Sequence, residues 1–285
     1  MEVTLLKSSS LKNNQYVFAP TSDSIKKTLD TISLGDTYPR PKQIEDYLAY
    51  VLFHHRKWIS DIVDTADFEY SYITAGATEA INLWKLSETR PWQSLIGDYE
   101  WPHMVGGVGY KVTLDHLWSN KVLYISNPSA IDGNFLSDED IDAIDAIGCP
   151  VILDCAYVGS TEIRQTRIPK NTEQIMFSFS KGWGLIGQRA GVVYSKKPHA
   201  TLKHTQSFGC WNYATTELID EIMERYPPDY LHELLIPYQL LVCQKYDLEP
   251  SDSCIIATSE DKYYIRRRRN GTKARLCITP LLEEL

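Results

Sequence analysis

The stretch PVILDCAY, residues 150–157, constrains the fold more than any other part of the chain. Its apolar residues follow one another without alternation, which is typical of a parallel strand buried on both faces of a sheet. Similar short strands alternate with helical segments from about residue 70 to residue 195. One helical segment, SDEDIDAIDAIG, begins with a capping signal and ends at a glycine. This alternation predicts an α/β fold with a mostly parallel central sheet.

The pattern changes after residue 200, where helical segments are broken at Pro227–Pro228 and short strands follow. We therefore predict two domains. The large domain comprises residues 30–205, and a reduced small domain combines residues 1–29 with residues 206–285. A chain of 285 residues is long enough for one large domain and a small satellite.

The composition argues against several classes of protein. A net charge of −8 disfavours general nucleic-acid binding. The run Arg266, Arg267, Arg268 and Arg269 is the local exception, and such runs are usually solvated faces rather than sites for a phosphate-rich partner. The first residues have no long apolar core, so we expect no signal peptide, and no apolar stretch is long enough to span a membrane. The six cysteines have no metal-ligand spacing, so we expect reduced thiols, no metal and a cytoplasmic protein.

Polar residues follow the ends of the predicted strands, which is where ligands bind in parallel α/β sheets. Gly76, Ala77 and Thr78 open a predicted helix whose free backbone amides can hold a phosphate. The other strand ends carry Asn127, Asp154, Tyr157, Ser180 and Lys181. We expect these residues to meet at one edge of the sheet.

Lys181 indicates Schiff-base chemistry. A lysine amine can form a Schiff base with an aldehyde cofactor, and pyridoxal 5′-phosphate is the usual one. Asp154 is the candidate carboxylate that keeps the cofactor's ring nitrogen protonated, and Asn127 and Tyr157 are candidate donors to its phenolate oxygen. Taken singly, each of these three residues also fits a structural role, as a buried ion pair or a hydrogen bond in the core.

The phosphate and the ring of such a cofactor need further partners. A phosphate dianion is held by backbone amides, hydroxyls and a guanidinium. The candidates are Gly76, Ala77, Thr78, Ser178 and Arg189. Trp101 is the candidate for stacking on the ring, although it also fits an ordinary core position, and the neighbouring His103 is more typical of a structural histidine.

These segments resemble the fold-type I pyridoxal-phosphate-dependent enzymes, and within them the aspartate aminotransferase-like (class I/II) family. The family pattern Ser-x-Ser-Lys-x-x-Gly-Leu-x-x-x-Arg is matched by Ser178, Ser180, Lys181, Gly184, Leu185 and Arg189. Other matches are Asp154 with Tyr157, Asn127 with Pro128, the loop GATEA, and Trp101 with Pro102. The resemblance spans roughly residues 32 to 280 in the family's order.

The resemblance implies an aminotransferase that moves an amino group between an amino acid or amine and a keto acid, through a Schiff base on Lys181. It assigns catalytic roles to Lys181, Asp154 and Tyr157, and it makes Arg275 in KARLCIT the residue that binds the substrate carboxylate. It also implies a homodimer whose subunits exchange a phosphate contact, for which Tyr38, Tyr47 and Tyr50 all remain candidates.

Two departures from the family keep other reactions open. The chain is shorter than is usual in the family, and NPSAIDG differs from the family's Asn-Pro-x-Asn-Pro-Thr-Gly. The alternative is a pyridoxal-phosphate-dependent decarboxylase or lyase on the same scaffold, acting also on an amino-acid group carried by a larger molecule. A non-catalytic descendant is a third class, against which the intact Lys181, Asp154 and Arg189 argue.

Overall fold

The structure is a computed structural model, and it describes residues 17, 19–31, 41–261 and 273–284. Tyr38 and the run Arg266 to Arg269 therefore lie outside the described residues.

The larger sheet has seven strands in the order β1-β7-β6-β5-β4-β2-β3. Its strands are β1 (Tyr70–Thr74), β2 (Trp92–Leu95), β3 (Gly109–Val112), β4 (Val122–Ser126), β5 (Val151–Cys155), β6 (Thr172–Ser178) and β7 (Gly191–Ser195). Strand β7 is antiparallel to both of its neighbours, β1 and β6, whereas the pairings among β6, β5, β4, β2 and β3 are all parallel. The prediction of a mostly parallel α/β sheet is confirmed.

Helices connect and cover these strands. They are α1 (Asp23–Thr31), α2 (Pro41–Trp58), α3 (Gly76–Ser87), α4 (Trp101–Met104), α5 (Asp138–Ile147), α6 (Phe179–Gly182), α7 (Ala200–Ser207), α8 (Tyr213–Arg225) and α9 (Tyr230–Tyr246), with 3-10 turns at Leu114–His116 and Thr279–Glu284. The capping signal before α5 forms a capping box between Ser137 and Asp140, and the helix ends at the left-handed Gly148. The break at Pro227–Pro228 separates α8 from α9, as the sequence predicts.

The core lies on both faces of the larger sheet. Along β5, Val151 and Leu153 belong to a cluster on one face, and Ile152 between them belongs to a cluster on the other. Every residue of β5 is buried. Since side chains alternate across a strand, a strand without polar alternation is covered on both sides, which confirms the interpretation of PVILDCAY.

A second, three-stranded antiparallel sheet lies in the C-terminal part of the chain. It comprises β8 (Glu249–Pro250), β9 (Ile256–Ser259) and β10 (Ala274–Cys277), in the order β10-β9-β8, and α9 packs on it. Helix α8 instead packs against α1 and α2, and its Ile219 and Ile222 join the main core. The boundaries of the two predicted domains stay a prediction.

The cysteines are all unpaired thiols, and five of them are buried whereas Cys210 is exposed. Across the described ranges, no helix combines the length and the apolar character needed to cross a bilayer.

Candidate cofactor and active site

Most of the predicted site residues lie at one edge of the larger sheet. The parallel strands β4, β5 and β6 end at this edge, and β1 ends there too because β7 between β1 and β6 runs in the opposite direction. The reversal of β7 brings its start, and with it Arg189, to the same edge. One cavity at this edge is lined by Ala77, Thr78, Asp154, Tyr157, Ser178, Ser180, Lys181 and Arg189.

Arg189 organises a cluster of donors at the start of α3. Its Nη1 donates to Ser180 Oγ at 3.1 Å, and its Nη2 donates to Thr78 Oγ1 at 3.0 Å and to the Ala75 carbonyl at 3.3 Å. The N-cap residue of α3 is Ala75, which has no side chain to cap the helix amides. A guanidinium, two hydroxyls and the free amides of a helix N-terminus together form an anion-binding cluster.

Gly76 makes the close approach of Arg189 possible. Its φ is +76°, and a Cβ at this position would lie 3.0 Å from Arg189 Nη2. Arg189 itself has a φ of 53°, in the left-handed region that non-glycine residues seldom occupy. A strained backbone at a cluster of charged donors is typical of a binding site.

Lys181 lies in the short helix α6, which begins directly after β6 and is capped by Ser178. The Ser180 amide donates to Ser178 Oγ at 3.2 Å and closes this turn. Burial lowers the pKa of the Lys181 amine, and the nearby Arg275 and Arg189 lower it further. A lysine with a lowered pKa has more neutral amine at physiological pH and is therefore a better nucleophile.

Asp154 is a buried carboxylate at the end of β5. Its Oδ1 accepts a hydrogen bond from the Ala156 amide at 2.9 Å, and its Oδ2 accepts one from the Tyr124 hydroxyl. Burial raises the pKa of Asp154 from an ordinary 3.8 to about 6, although these two hydrogen bonds oppose the shift. A cationic partner would restore the charged form.

Asn127, the residue directly after β4, carries an unused side-chain donor. Its backbone amide donates to the Asp154 carbonyl at 2.9 Å, and its Oδ1 accepts from the Leu136 amide at 3.0 Å. Its Nδ2 is buried and has no hydrogen-bond partner among the described residues. A buried amide nitrogen without a partner is costly, so this donor is suited to an acceptor on a ligand.

Arg275 comes to the site from β10 of the second sheet. Its Nη1 donates to the Ala130 carbonyl at 2.6 Å and lies 3.4 Å from the hydroxyl of Tyr157. Its Nε is buried without a partner among the described residues. Tyr157 is itself buried and lines the cavity. Arg275 thus contacts a residue that lines the cavity, and its role in binding a substrate carboxylate stays a prediction.

The structure does not bring Trp101 to the cavity. Its Nε1 donates to Asn82 Oδ1 at 2.8 Å, and its ring packs against the core cluster beneath α3. Besides Tyr157, the aromatic residue that lines the cavity is Tyr99, two positions before Trp101 in DYEW. The turn contains two aromatic residues, and the path of the backbone after β2 decides which of the two rings lines the cavity.

The structure also shows the positions of His103 and of two tyrosines that the sequence suggests for contact between subunits. The ring of His103 packs at a tilt against Trp92, with a centroid distance of 4.3 Å, and its Nε2 shares a hydrogen bond of 2.8 Å with the Ser94 hydroxyl, which is a structural position. Among the tyrosines proposed for exchange between subunits, Tyr47 donates to Asp220 at 3.5 Å and Tyr50 donates to Glu224 at 3.2 Å.

The donor set fits pyridoxal phosphate. The cluster around Arg189 suits a dianion, the unpartnered Asn127 Nδ2 suits a phenolate oxygen, and the Asp154 carboxylate suits a protonated ring nitrogen. Tyr99 is available to one face of a ring. Within the described residues there is no cluster of three or more histidine, cysteine or carboxylate side chains that could hold a metal ion.

The chain has the fold of the fold-type I aminotransferases. It is similar over 92% of its length to L-threonine-O-3-phosphate decarboxylase from Porphyromonas gingivalis (TM-score 0.62, 16% identity, 94% of that chain covered). It is similar over 96% of its length to histidinol-phosphate aminotransferase from Sinorhizobium meliloti in complex with pyridoxal-5′-phosphate (TM-score 0.63, 18% identity, 88% of that chain). An aminotransferase from Staphylococcus aureus matches the whole chain (TM-score 0.64, 14% identity, 96% of that chain).

The sequence family whose model matches is "Aminotransferase class I and II", over residues 109–231. This range includes Asn127, Asp154, Tyr157, Lys181 and Arg189. No curated protein sequence matches the chain. The resemblance to the class I/II aminotransferases that the motifs indicate is confirmed.

Proposed function

We propose that this protein is a pyridoxal-phosphate-dependent aminotransferase that moves an amino group between an amino acid or amine and a keto acid. One observation carries the proposal. The amine of Lys181, the carboxylate of Asp154 and the guanidinium of Arg189 line a single cavity, and burial lowers the pKa of the Lys181 amine. The matches to aminotransferases support the same conclusion.

The chain's own residues would hold the cofactor by its charged groups. Arg189, Thr78, Ser180 and the amides at the start of α3 bind the phosphate dianion. Asn127 Nδ2 donates to the phenolate oxygen, and Tyr99 contacts the ring. Each donor is fixed on a strand end or a helix start, so binding requires little ordering of side chains.

Asp154 would hold a proton at the ring nitrogen. When bound, pyridoxal phosphate supplies an aldehyde that amines attack and a ring that withdraws electrons while its nitrogen stays protonated. The Asp154 carboxylate is ionised more readily beside that cationic nitrogen, and the Tyr124 hydroxyl and the Ala156 amide keep it in place. The buried setting strengthens this ion pair because water does not screen it.

Lys181 would act as the base that moves a proton. Its Nζ would hold the cofactor in the absence of substrate and would be a free amine while an amino substrate is bound. Because burial and two arginines lower its pKa, this amine accepts a proton from the substrate's α-carbon near neutral pH. The protonated amine would then return the proton at a neighbouring carbon, which completes this proton shift; release of the keto acid additionally requires water.

Arg275 would orient the substrate by binding its carboxylate. Its guanidinium lies beside Tyr157 and has a buried Nε without a described partner. A carboxylate that meets a guanidinium with two parallel hydrogen bonds is held in one orientation. This contact selects amino acids over simple amines and fixes the bond that faces Lys181.

An absorption spectrum of the purified protein with pyridoxal phosphate tests the proposal. We expect a visible band that bleaches when a panel of amino acids is added and returns when a keto acid follows. Borohydride treatment and peptide mapping should find the cofactor on Lys181. Lys181→Ala should lose the band and all turnover, whereas Lys203→Ala, a change at an exposed residue, should keep both. Transamination by Lys181→Ala near the wild-type rate would overturn the proposal.

A decarboxylase is the second candidate, because a structural neighbour is a decarboxylase. The residues that hold the cofactor are the same for both reactions, and only the substrate contacts choose the bond that breaks. Release of carbon dioxide from an amino acid, with no keto acid formed and no bleaching of the band, would favour this candidate.

We also propose that the protein acts as a homodimer in the cytoplasm. Related enzymes complete their phosphate site across a subunit interface, and Tyr50 is half-exposed on α2 where a partner can reach it. Sedimentation with and without pyridoxal phosphate measures the oligomeric state, and a monomer that binds the cofactor with full affinity would contradict the dimer.

A further inference from the structure

We propose that Asp98 is a positioning residue, which fixes the guanidinium of Arg275 for carboxylate binding by way of Ser126 and the backbone of Ala130. The inference rests on the proposed function, because it deepens the role of Arg275 as the residue that binds the substrate carboxylate. Asp98 lies in the turn that follows β2, outside the sequence motifs that indicate the cofactor site.

Asp98 is a second buried carboxylate near the cavity, with only 3% of its surface exposed. Its Oδ2 accepts from the Ser126 amide at 3.0 Å, and its Oδ1 accepts from the Ser126 hydroxyl. The Tyr99 amide also lies 2.6 Å from Oδ1. A buried carboxylate with several charge-assisted hydrogen bonds fixes its donors firmly, because losing one leaves a charge uncompensated.

The bonds at Ser126 continue toward Arg275. While the Ser126 hydroxyl donates to Asp98, the same oxygen accepts from the Ala130 amide at 2.7 Å. The carbonyl of Ala130 accepts from Arg275 Nη1 at 2.6 Å. Both backbone groups of Ala130 are thus held, one by Ser126 and one by Arg275. The position of the guanidinium therefore depends on a chain of three bonds that begins at Asp98.

This chain joins the two sheets at the active site. Asp98 and Ser126 lie at the ends of neighbouring parallel strands, β2 and β4, while Arg275 belongs to β10 of the second sheet. Ala130 belongs to NPSAIDG, residues 127–133, the stretch that differs from the family's Asn-Pro-x-Asn-Pro-Thr-Gly after the shared Asn-Pro pair. The Asp98 carboxylate fixes the start of this segment through its hydrogen bonds to the preceding Ser126.

The test compares a carboxylate-dependent ligand with a carboxylate-independent one on the holoenzyme. The ligand is 2-aminoisobutyrate, an amino acid with a methyl group in place of the α-hydrogen, which therefore cannot transaminate. Its dissociation constant is obtained from the change in the cofactor's absorption. The dissociation constant of pyridoxal phosphate itself serves as the second readout.

Asp98→Asn should weaken 2-aminoisobutyrate binding roughly tenfold, because the amide leaves one Ser126 donor unmatched, while pyridoxal phosphate binding changes less than about threefold. Ser126→Ala should act in the same direction, and it carries the test if Asp98→Asn does not fold. Asp145→Asn is the control, since the Asp145 side chain is only 8% exposed, lies on α5 away from the cavity and accepts from the Lys170 amide. This control should change neither constant.

A double-mutant cycle separates positioning from general stability. In an Arg275→Ala background, Asp98→Asn should have no further effect on 2-aminoisobutyrate binding, because both changes remove the same contact. Hydrogen exchange of the peptide 127–136 should be faster in Asp98→Asn than in the wild type. Additive effects in the cycle, or equal weakening of both ligands, would overturn the positioning role.

The outcomes also distinguish this inference from the proposed function. A wild-type protein without a cofactor band overturns the proposed function and, with it, the inference. A normal wild-type band together with unchanged 2-aminoisobutyrate binding in Asp98→Asn and Ser126→Ala overturns the inference alone.

Discussion

Arg189 donates a hydrogen bond of 3.0 Å to the hydroxyl of Thr78 and so joins the start of β7 to the first turn of α3. The bond links two segments that are far apart in the chain and brings a guanidinium to a helix N-terminus. Two like-signed electrostatic features in contact would repel each other unless an anion lies between them. The pair is therefore best explained as a site for a doubly charged phosphate.

Replacement of Arg189 by lysine should weaken pyridoxal phosphate binding roughly 10- to 100-fold, because a single ammonium cannot reproduce the charge-assisted bonds of a guanidinium. Equilibrium titration by absorbance measures the change. The matched control is Arg225→Lys, at an exposed arginine that pairs with Glu221 one turn away on α8. Equal cofactor affinities in wild type and Arg189→Lys would contradict a phosphate role for Arg189.

Gly76→Ala should destabilise the protein by about 1–3 kcal/mol and weaken the cofactor site at the same time, because its φ is positive. The added methyl group would also press on Arg189 Nη2, which lies 3.0 Å from the ideal Cβ position. Denaturant unfolding and cofactor titration report the two effects.

Gly187→Ala is the control for this change. A Cβ at Gly187 would meet no atom within 4 Å, so we expect an effect on unfolding within about 0.5 kcal/mol. If both glycine substitutions behaved alike, the close packing of Gly76 against Arg189 would not be responsible.

Tyr99→Ala should raise the dissociation constant of pyridoxal phosphate about tenfold through the loss of ring contact, with a smaller effect on stability. Trp101→Ala should do the reverse. Its ring packs in the core cluster beneath α3, so this variant should lose roughly 2 kcal/mol of unfolding free energy and bind the cofactor normally when folded. The opposite result would return the stacking role to Trp101.

Asp154 should make the stability of the cofactor-free protein depend on pH. Burial raises its pKa from 3.8 to about 6, so the folded protein holds this proton more tightly than the unfolded chain. The resulting stabilisation is complete below the lower value and is lost as the pH rises through about 6.

Relative to Asp154→Asn, the wild type should therefore lose up to about 3 kcal/mol of unfolding free energy between about pH 4 and pH 7. Urea denaturation at several pH values gives the difference between the two proteins. A difference that stayed constant over this range would show that the pKa of Asp154 is not raised.

The sequence predicts the sheet well, because strands such as β5 are buried on both faces and leave a continuous apolar run. It also predicts Lys181, Asp154 and Arg189, since each follows or precedes such a strand at the same edge. These residues can be located from the sequence because each of them lies at or beside the end of a predicted strand, where ligands bind in such sheets.

The rest of the site depends on how distant segments fold together. Tyr99 and Trp101 are two residues apart, and the turn after β2 alone decides which ring faces the cavity. Asp98 has no signal in the sequence, because its partner Ser126 lies on another strand. Arg275 donates to the Tyr157 hydroxyl and to the backbone carbonyl of Ala130, and a bond to a backbone carbonyl leaves no signal in the sequence.

The connection between β6 and β7 has a consequence for insertions and deletions. Lys181 and Arg189 both lie on this connection, whose turn is closed by bonds from the Phe179 amide to Ala190 and from the Gln188 amide to Leu185. Because β7 reverses direction here, a single short loop delivers both cations to the cavity. A residue inserted between Lys181 and Arg189 would change the distance between the amine and the guanidinium. A longer loop at the far edge of the sheet would leave both groups in place. The length of this loop is thus as strict a requirement of the site as the identity of its residues.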